Sequence, residues 1–476
     1  MINVRRLTVI TLCVTSSSIG GNVLRAQDNP AMNTYATPAT EQTVENNSQQ
    51  LPAEWTLQDC IDYALEQNIT LRKSRINAES TAVDVKTAKA ALFPSLSFST
   101  SQNMENRPYQ ESSSTVSGTE ILRSNSKTSY NGNYGLNAQW TVYNGSKRLK
   151  TIEQEKLNNR VAELDVATSE KNIEESITQT YVQILYAAES VKVNESTLAV
   201  SEAQCDRGKE LLAAGSLSKA DLAQLEAQVS TDRYQLVTAQ TTLQNYKLQL
   251  KQLLELDGEE EMNLYLPALD NSKVLSPLPT KTDVYHAALA VRPEIESGKL
   301  NIQASELNID IARAGYMPSV SLSAGIGTNN TSGSDFTFAQ QVKNGWNNSL
   351  GLSISVPIFN NRQTKSAVQK AKLQRETSML NLLDEQKTLY KTIEGLWLDA
   401  NSAQQRYVAA QEKLRSTQTS FDLISAQFNL GMKNTVELLT EKNNLLSAQQ
   451  ETLQAKYMAI LNAQLLKFYQ GGDIEL

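Results

Sequence analysis

Residues Tyr130–Tyr143 read YNGNYGLNAQWTVY, and the alternation in that stretch decides what kind of protein this is. Tyr130, Tyr134, Leu136, Ala138, Trp140 and Val142 share one parity, apolar or aromatic throughout apart from Gly132. Asn131, Asn133, Gly135, Asn137, Gln139 and Thr141 take the other parity, and each is polar or glycine. A period of two predicts a β-strand with one greasy and one wet face. A strand in a soluble sandwich usually spans about five or six residues, whereas a tilted membrane strand needs about nine to eleven. The length favours a membrane strand over a soluble sheet edge, which can imitate the same alternation.

Three more windows repeat the pattern. Pro94–Ser101 sets Leu96 and Phe98 against Ser95, Ser97 and Ser99. Pro318–Gly327 sets Val320, Leu322, Ala324 and Ile326 against Ser319, Ser321, Ser323 and Gly325. Trp346–Ile358 sets Leu350, Leu352, Ile354, Val356 and Ile358 against Asn347, Ser349, Gly351, Ser353 and Ser355. No wet face carries a charge, as expected of a water-filled lumen. Four strands cannot close a barrel, and an open edge in lipid leaves ladder N–H and C=O groups unpaired at several kcal/mol each. Chains must therefore associate. Two copies supply eight strands and three supply twelve, and the uncharged wet faces favour the wider bore.

The remaining length calls for long helices. Hydrophobic residues make up 40% and aromatics only 6% of the 476 residues, lean for one large packed core. With 20 Gly and 11 Pro there is too little punctuation for a chain of loops and short strands, and the Ala, Leu, Gln, Glu and Lys balance suits helix. Basic residues are dispersed and the net charge is −7, so nothing invites nucleic acid. Residues 1–26 resemble a secretory signal, with Arg5 and Arg6 before an apolar run from Leu7 to Val14 that is too short to span a bilayer. Its removal takes three arginines and leaves a mature charge near −10. Residues 27–52 form a polar leader.

A helix is expected from the N-cap Thr56 through Ile61, Leu65, Ile69, Ile76, Val83 and Val85 to Phe93, stopped by Pro94. The first strand follows, then a polar loop from Gln102 to Ser129. No proline occurs from Asn144 to Glu261, so Asn144 to about Ala213 is one helix of about seventy residues, roughly 100 Å at 1.5 Å per residue. The chain turns at Gly215 and returns with Leu222, Leu225, Val229, Leu236, Ala239, Leu243, Tyr246, Leu250 and Leu253 in a heptad seam that Asp232 interrupts. Residues 257–281, with Pro267, Pro277 and Pro279, read as a connector.

The pattern then recurs. Asp283–Ser323 lies over Asp59–Ser99 without a gap, and Gly351 onward lies over Gly135 onward, pairing Gly431 with Gly215. The chain is a signal segment (1–26), a leader (27–52), one repeat (53–256), the connector (257–281), a second repeat (282–470) and a tail (471–476). Each repeat reads helix, strand, strand, long helix, turn, helix. The fold class is mainly α with a membrane β-barrel, the helical seams needing neighbours to bury them.

FPSLSFS and MPSVSLS, the strand exits WTVYNG and VPIFNN, and the turns LLAAGSLSKADLAQLEAQ and FNLGMKNTVELLTEKN together resemble the TolC-like outer-membrane efflux proteins, over nearly all of residues 54–470. The resemblance implies a homotrimer with a twelve-stranded barrel in outer-membrane lipid and an α-helical tunnel in the periplasm. It also implies docking to a periplasmic adaptor (membrane fusion) protein and an inner-membrane transporter. On that footing the turns at Gly215 and Gly431 are the periplasmic tip, where acids a few positions after the glycine form a constriction. Glu437 matches the first such acid, Asp221 is its repeat partner, and Thr440 stands where a second acid can occur. Phe428 takes an aromatic position before Gly431 and Lys433 a basic one after it. Asp221 and Glu437 also sit in the first turn of a helix, where the macrodipole favours an acid whatever its function. The membrane strands present Leu96, Phe98, Tyr134, Trp140, Leu322, Ile326, Trp346 and Leu352. The short tail after Gly471 implies a reduced equatorial collar.

No enzyme motif, metal set or cofactor loop is present. His286 stands alone on a helix, Glu174-Glu175 and Glu259–Glu261 read as solvated charges, and Cys60 and Cys205 lie on separate helices. The reading is an outer-membrane exit duct of a tripartite efflux or type I secretion system, gated at its tip. The rival from another class is a soluble periplasmic coiled-coil scaffold or adaptor.

Overall fold

The computed structural model describes residues 54–109, 113–117, 120–124, 127–256, 262–267 and 274–474. The expected signal segment and leader, Glu259–Glu261 and parts of the connector lie outside those residues. In chain order the elements are α1 (Leu57–Gln67), α2 (Ile69–Ala90), β1 (Ser95–Asn106), β2 (Ser113–Ser117), β3 (Glu120–Ser124), β4 (Thr128–Asn144), α3 (Lys147–Ala213) and α4 (Lys219–Leu253). They continue as α5 (Lys281–Val291), α6 (Pro293–Arg313), β5 (Ser319–Thr331), α7 (Phe338–Asn344), β6 (Asn347–Ser355), α8 (Gln363–Asn429) and α9 (Thr435–Tyr469).

The helix expected from Thr56 to Phe93 is two helices. Thr56 caps α1 in a reciprocal box with Asp59, as its position suggests. The chain then breaks at Asn68, whose side-chain oxygen accepts from the backbone N–H of Thr70 and Leu71 while its amide donates to the Leu253 carbonyl. The second copy breaks at the matching place, between α5 and α6, where Pro293 supplies the stop openly. Further corrections fall in the sheet. β1 runs on to Asn106 and the polar stretch after it carries the hairpin β2–β3, so Gln102–Ser129 is not a plain loop. β6 ends at Ser355, because Pro357 cannot donate to a ladder, and Trp346 precedes the strand by one residue.

The main sheet is antiparallel in the order β1-β4-β5-β6, so the middle pair joins the two copies. The helices below keep the same order, α3 packing between α2 and α6, and α6 between α3 and α8. Each strand is continuous with one of these helices: α2 enters β1, β4 leaves into α3, α6 enters β5 and β6 leaves into α8. The product is a wall of four staves, half sheet and half helix. Its two long members, α3 and α8, each have 67 residues, about 100 Å of helix at 1.5 Å per residue.

Burial is concentrated where the staves meet the returning helices. A core of Trp55, Tyr181, Leu250, Ile460 and Leu465 ties α1, α3, α4 and α9 together at mid-height. The isolated bridge between Trp55 and Leu264 pins part of the connector there. Cys60 lies in this core and burial pushes its thiol up to about 12, leaving it inert as a nucleophile. Cys205 is also buried, near the hairpin tips, and both are free thiols. Replacing Asn68 by Ala removes two cap bonds and the link to Leu253. It is expected to cost about 1–2 kcal/mol, read as faster hydrogen exchange at Thr70 and Leu71 relative to the centre of α2.

Candidate functional site

The register sorts the strand residues into faces. Leu96, Ala138, Ala324 and Leu350 form one cross-strand row, Phe98, Leu136 and Ile326 the row above, and Trp140, Leu322 and Leu352 the row below. Tyr134 stands one row higher, opposite Thr100 and Thr328. A bulge between Thr141 and Tyr143 brings Tyr143 opposite Val320, extending the greasy face downward. Five such rows span about 27 Å along a strand at 3.4 Å per residue, or about 21 Å of height at a tilt of about 40°, comparable to the roughly 25 Å apolar band of an outer-membrane barrel. Leu96, Phe98, Leu350 and Leu352 are each more than 60% exposed, so the chain alone leaves this face uncovered. The Trp140 indole donates to the Leu92 carbonyl at 2.8 Å, holding an amphipathic ring at the lower border of the band. Trp346 lies beside the upper end and is exposed.

The opposite face is a ladder of small polar groups. Ser95 and Ser97 donate to the carbonyls of Gln139 and Asn137, and Ser323 and Ser349 to those of Gly351 and Gly325. A Cβ at Gly351 would stand 2.8 Å from the Ser323 hydroxyl, so glycine lets these short side chains fold back on the sheet. The same side continues below the strands as a trough walled by α3 and α8 and floored by α6. Its upper cavity, about 780 Å³, is lined by Ser319 and Ser355 of the wet face and by Lys147, Asn308, Lys370 and Gln374. A second cavity, sharing Asn308 and Gln374, follows and is lined by Asp165, Glu294 and Glu385. Three adjacent staves can wall one trough only on the concave side of the array.

The two hairpin ends are built alike. At Gly215, φ +75°, the Gly215 and Ser216 amides donate to the carbonyls of Leu212 and Leu211, and at Gly431, φ +72°, the Gly431 and Met432 amides donate to those of Phe428 and Gln427. This left-handed stop disfavours a side chain for conformational reasons and is followed three residues later by the N-cap of the return helix. Ser218 then caps α4 through the Asp221 amide, with the Asp221 carboxylate accepting from the Ser218 hydroxyl at 2.6 Å. Asn434 caps α9 in a reciprocal box with Glu437.

Lys433 donates to Glu437 at 2.7 Å, and Thr440, one turn on, turns its hydroxyl to the Val436 carbonyl. Phe428 does not face the end of the hairpin; it is buried with Leu225, Cys205, Phe421 and Leu438 between the two hairpins. Lys433, Glu437 and Thr440 thus cluster on one hairpin, with Asp221 in the matching cap of the other. Lys433 and the Asn434 amide hold the Glu437 carboxyl below the ordinary carboxylate value. A carboxyl with a lowered folded value stabilises the cap above the unfolded value and stops doing so as pH falls through the lowered one. Protection of the first turn of α9 should therefore persist at neutral pH and fade on acidification below the ordinary carboxylate range.

The strongest polar contact between hairpins has its sequence sign in the broken seam. Asp232 of α4, Lys442 of α9 and Ser201 of α3 meet with side chains no more than 3% exposed for the charged pair, Lys442 donating to both Asp232 and Ser201 and Ser201 to Asp232. Gln228 donates to the other Asp232 oxygen at 2.9 Å. Burial lowers the Lys442 pKa while Asp232 opposes the shift. The seam residue that spoiled the heptad is therefore one half of a buried ion pair. Asp232→Ala leaves a buried ammonium unpaired and is expected to cost about 3–5 kcal/mol, whereas Asp232→Leu with Lys442→Met is expected to cost far less. Thermal unfolding of the detergent-solubilised protein checks the difference.

Residues 60–255 and 284–472 match the family described as outer membrane efflux protein. Toxin and drug export protein A of Aggregatibacter actinomycetemcomitans is 21% identical over 464 residues, 97% of this chain and 96% of that protein. Outer membrane protein TolC of Escherichia coli (strain K12) is 22% identical over 417 residues, 85% of this chain and 80% of that protein. A crystal structure of CusC has a TM-score of 0.73 at 20% identity, covering 88% of this chain and 93% of that one.

Proposed function

Because this chain belongs to the outer membrane efflux protein family, we propose that it is the exit duct of a tripartite efflux or type I secretion assembly, a homotrimer that passes cargo through a hydrated bore without chemistry of its own. It is an outer-membrane protein with a mainly helical body and a membrane sheet. No described helix is long and apolar enough to cross a membrane, and the exposed apolar face of the sheet is the surface suited to lipid.

One observation carries the reading: the four-stave wall is unfinished along both sides. Among the described residues β1 and β6 each have one strand partner, and the helices continuous with them bear exposed apolar stripes. On α2 these are Ile69, Ile76 and Val83, and on α8 Leu373, Leu380 and Leu383, each between 45% and 64% exposed. An edge of one protomer meeting the opposite edge of the next satisfies strand and stripe together. The internal repeat even supplies the register. β4 meets β5 with Asn137 opposite Gly325. The copies are shifted by 216 residues from Gly135 to Gly351 and by 224 from Ser99 to Ser323, so the same pairing between protomers sets Ser353 opposite Ser101.

Directly opposed Cα atoms about 5 Å apart suit a disulfide. The protein carrying both Ser101→Cys and Ser353→Cys should run as a covalent trimer on a non-reducing gel after mild oxidation, and either single variant as monomer. A monomeric double variant, or an open ladder of sizes, counts against the closed wall.

The tips support a docking and gating role. Leu430, Met432 and Val436 are exposed by 75%, 70% and 57% at the end of the second hairpin, apolar surface suited to the helical tip of a periplasmic adaptor linked to an inner-membrane transporter. Asp221 and Glu437 are proposed to ring the narrow end of the bore, with Lys433 moderating the second acid and Thr440 leaving a single acidic ring. Asp221→Asn with Glu437→Gln keeps hydrogen-bonding groups at both caps and removes the charge. It should raise single-channel conductance in planar bilayers and weaken cation preference; unchanged conductance would mean that neither acid constricts the path.

A further inference from the structure

The trough beneath the sheet changes sign along its length. Its upper cavity is lined by Lys147 of α3 and Lys370 of α8 and by no Asp or Glu, whereas the cavity below is lined by Asp165, Glu294 and Glu385 and by no Lys or Arg. Neither lysine has an acid three or four residues away on its own helix, and neither makes an ion pair among the described residues. Lys147 and Asp165 are about 27 Å apart along α3 at 1.5 Å per residue, several times the Debye length of about 8 Å at physiological salt. The acids below therefore do not neutralise the lysines. At this height Glu153 and Asp310 are ion-paired with Lys150 and Arg313, and Asp84 of α2, the repeat counterpart of Asn308, falls at the same level in the other copy, so the two lysines still give this stretch of the wall a positive excess. The first turns of α3 and α8 open beside this cavity with no acidic residue; neither N-cap, Ser146 or Arg362, caps through its side chain, Asn144 accepting from the Arg148 amide at 3.4 Å, and the two helix ends add to the positive potential.

We propose that the Lys147–Lys370 cavity is an anion-binding station on the bore wall, taking a small multivalent anion that carries phosphate or carboxylate groups. The proposal rests on the duct reading, which makes this face the bore. Two ammonium groups from separate helices suit an anion with two charged ends, and the hydroxyls of Ser319 and Ser355 with the amides of Asn308 and Gln374 supply neutral donors around it. An anionic cargo leaving the acidic stretch would be held here before it enters the uncharged barrel, so the station biases which solutes enter that last segment.

The test uses the mature full-length protein in detergent, titrated calorimetrically with inorganic pyrophosphate, and the same preparation in planar bilayers. Binding should weaken about tenfold or more in the variant carrying Lys147→Gln and Lys370→Gln. It should be unchanged in the charge-matched control carrying Lys365→Gln and Lys372→Gln, residues that do not line the cavity. Pyrophosphate should reduce the single-channel current of the unmodified protein and not of the first variant. Equal binding by the unmodified protein and the first variant overturns the station whatever the currents do, and leaves the duct standing if channels form. A binding difference without any channel removes the duct reading and with it the placement on a bore. Displacement of pyrophosphate by phosphatidylglycerol added to the micelles would assign the lysines to lipid headgroups and overturn the proposal as well.

Discussion

Every ladder N–H and C=O that enters lipid must find a protein partner, because no water is present to replace it. Only two of the four strands here meet that condition within one chain; β1 and β6 each offer a bare edge. The greasy face of the sheet demands lipid, while the bare edges forbid lipid unless another chain completes them. Assembly is thus a condition of the fold itself, and the long helices inherit it, since the stripes on α2 and α8 lie directly below those edges. Closure of the sheet and closure of the helical body become one event.

The hairpins hang from that wall under a different rule. Below mid-height α4 and α9 return alongside α3 and α8, and what keeps the two hairpins in fixed relation is a small apolar cluster around Phe428, Leu225 and Leu438 together with the buried Asp232–Lys442 pair. A buried ion pair is poor value as stabilisation compared with leucine and methionine, but it tolerates one alignment only. The tips are accordingly terminated by backbone geometry and capped by local hydrogen bonds, and the second exposes Leu430, Met432 and Val436 at its end.

Much of this architecture is legible in the residues. Alternation in Tyr130–Tyr143 announces the strand, the proline-free runs announce α3 and α8, and the glycine turns sit at Gly215 and Gly431. What escaped depends on contacts across distance. Asn68 breaks a helix without proline because its side chain serves three backbone groups at once, a break signalled in the other copy by Pro293, which overlays the next residue, Ile69. β1 outruns its apolar pattern because pairing with β4 continues through Gln102 to Asn106 whatever the side chains. Phe428 stands beside the turn of the second hairpin, and Cys205 and Leu225 of the first hairpin help to bury it. Lys442 carries no local sign of its partner, and Asp232 shows only that the heptad is interrupted.

The central claim is that one chain is a third of a closed wall. Native mass spectrometry of the mature protein released from detergent tests it without any substitution or probe. The account predicts one dominant species of three protomers that appears only from detergent or lipid. A monomer that stays in solution without detergent, or a particle of two protomers, would contradict it.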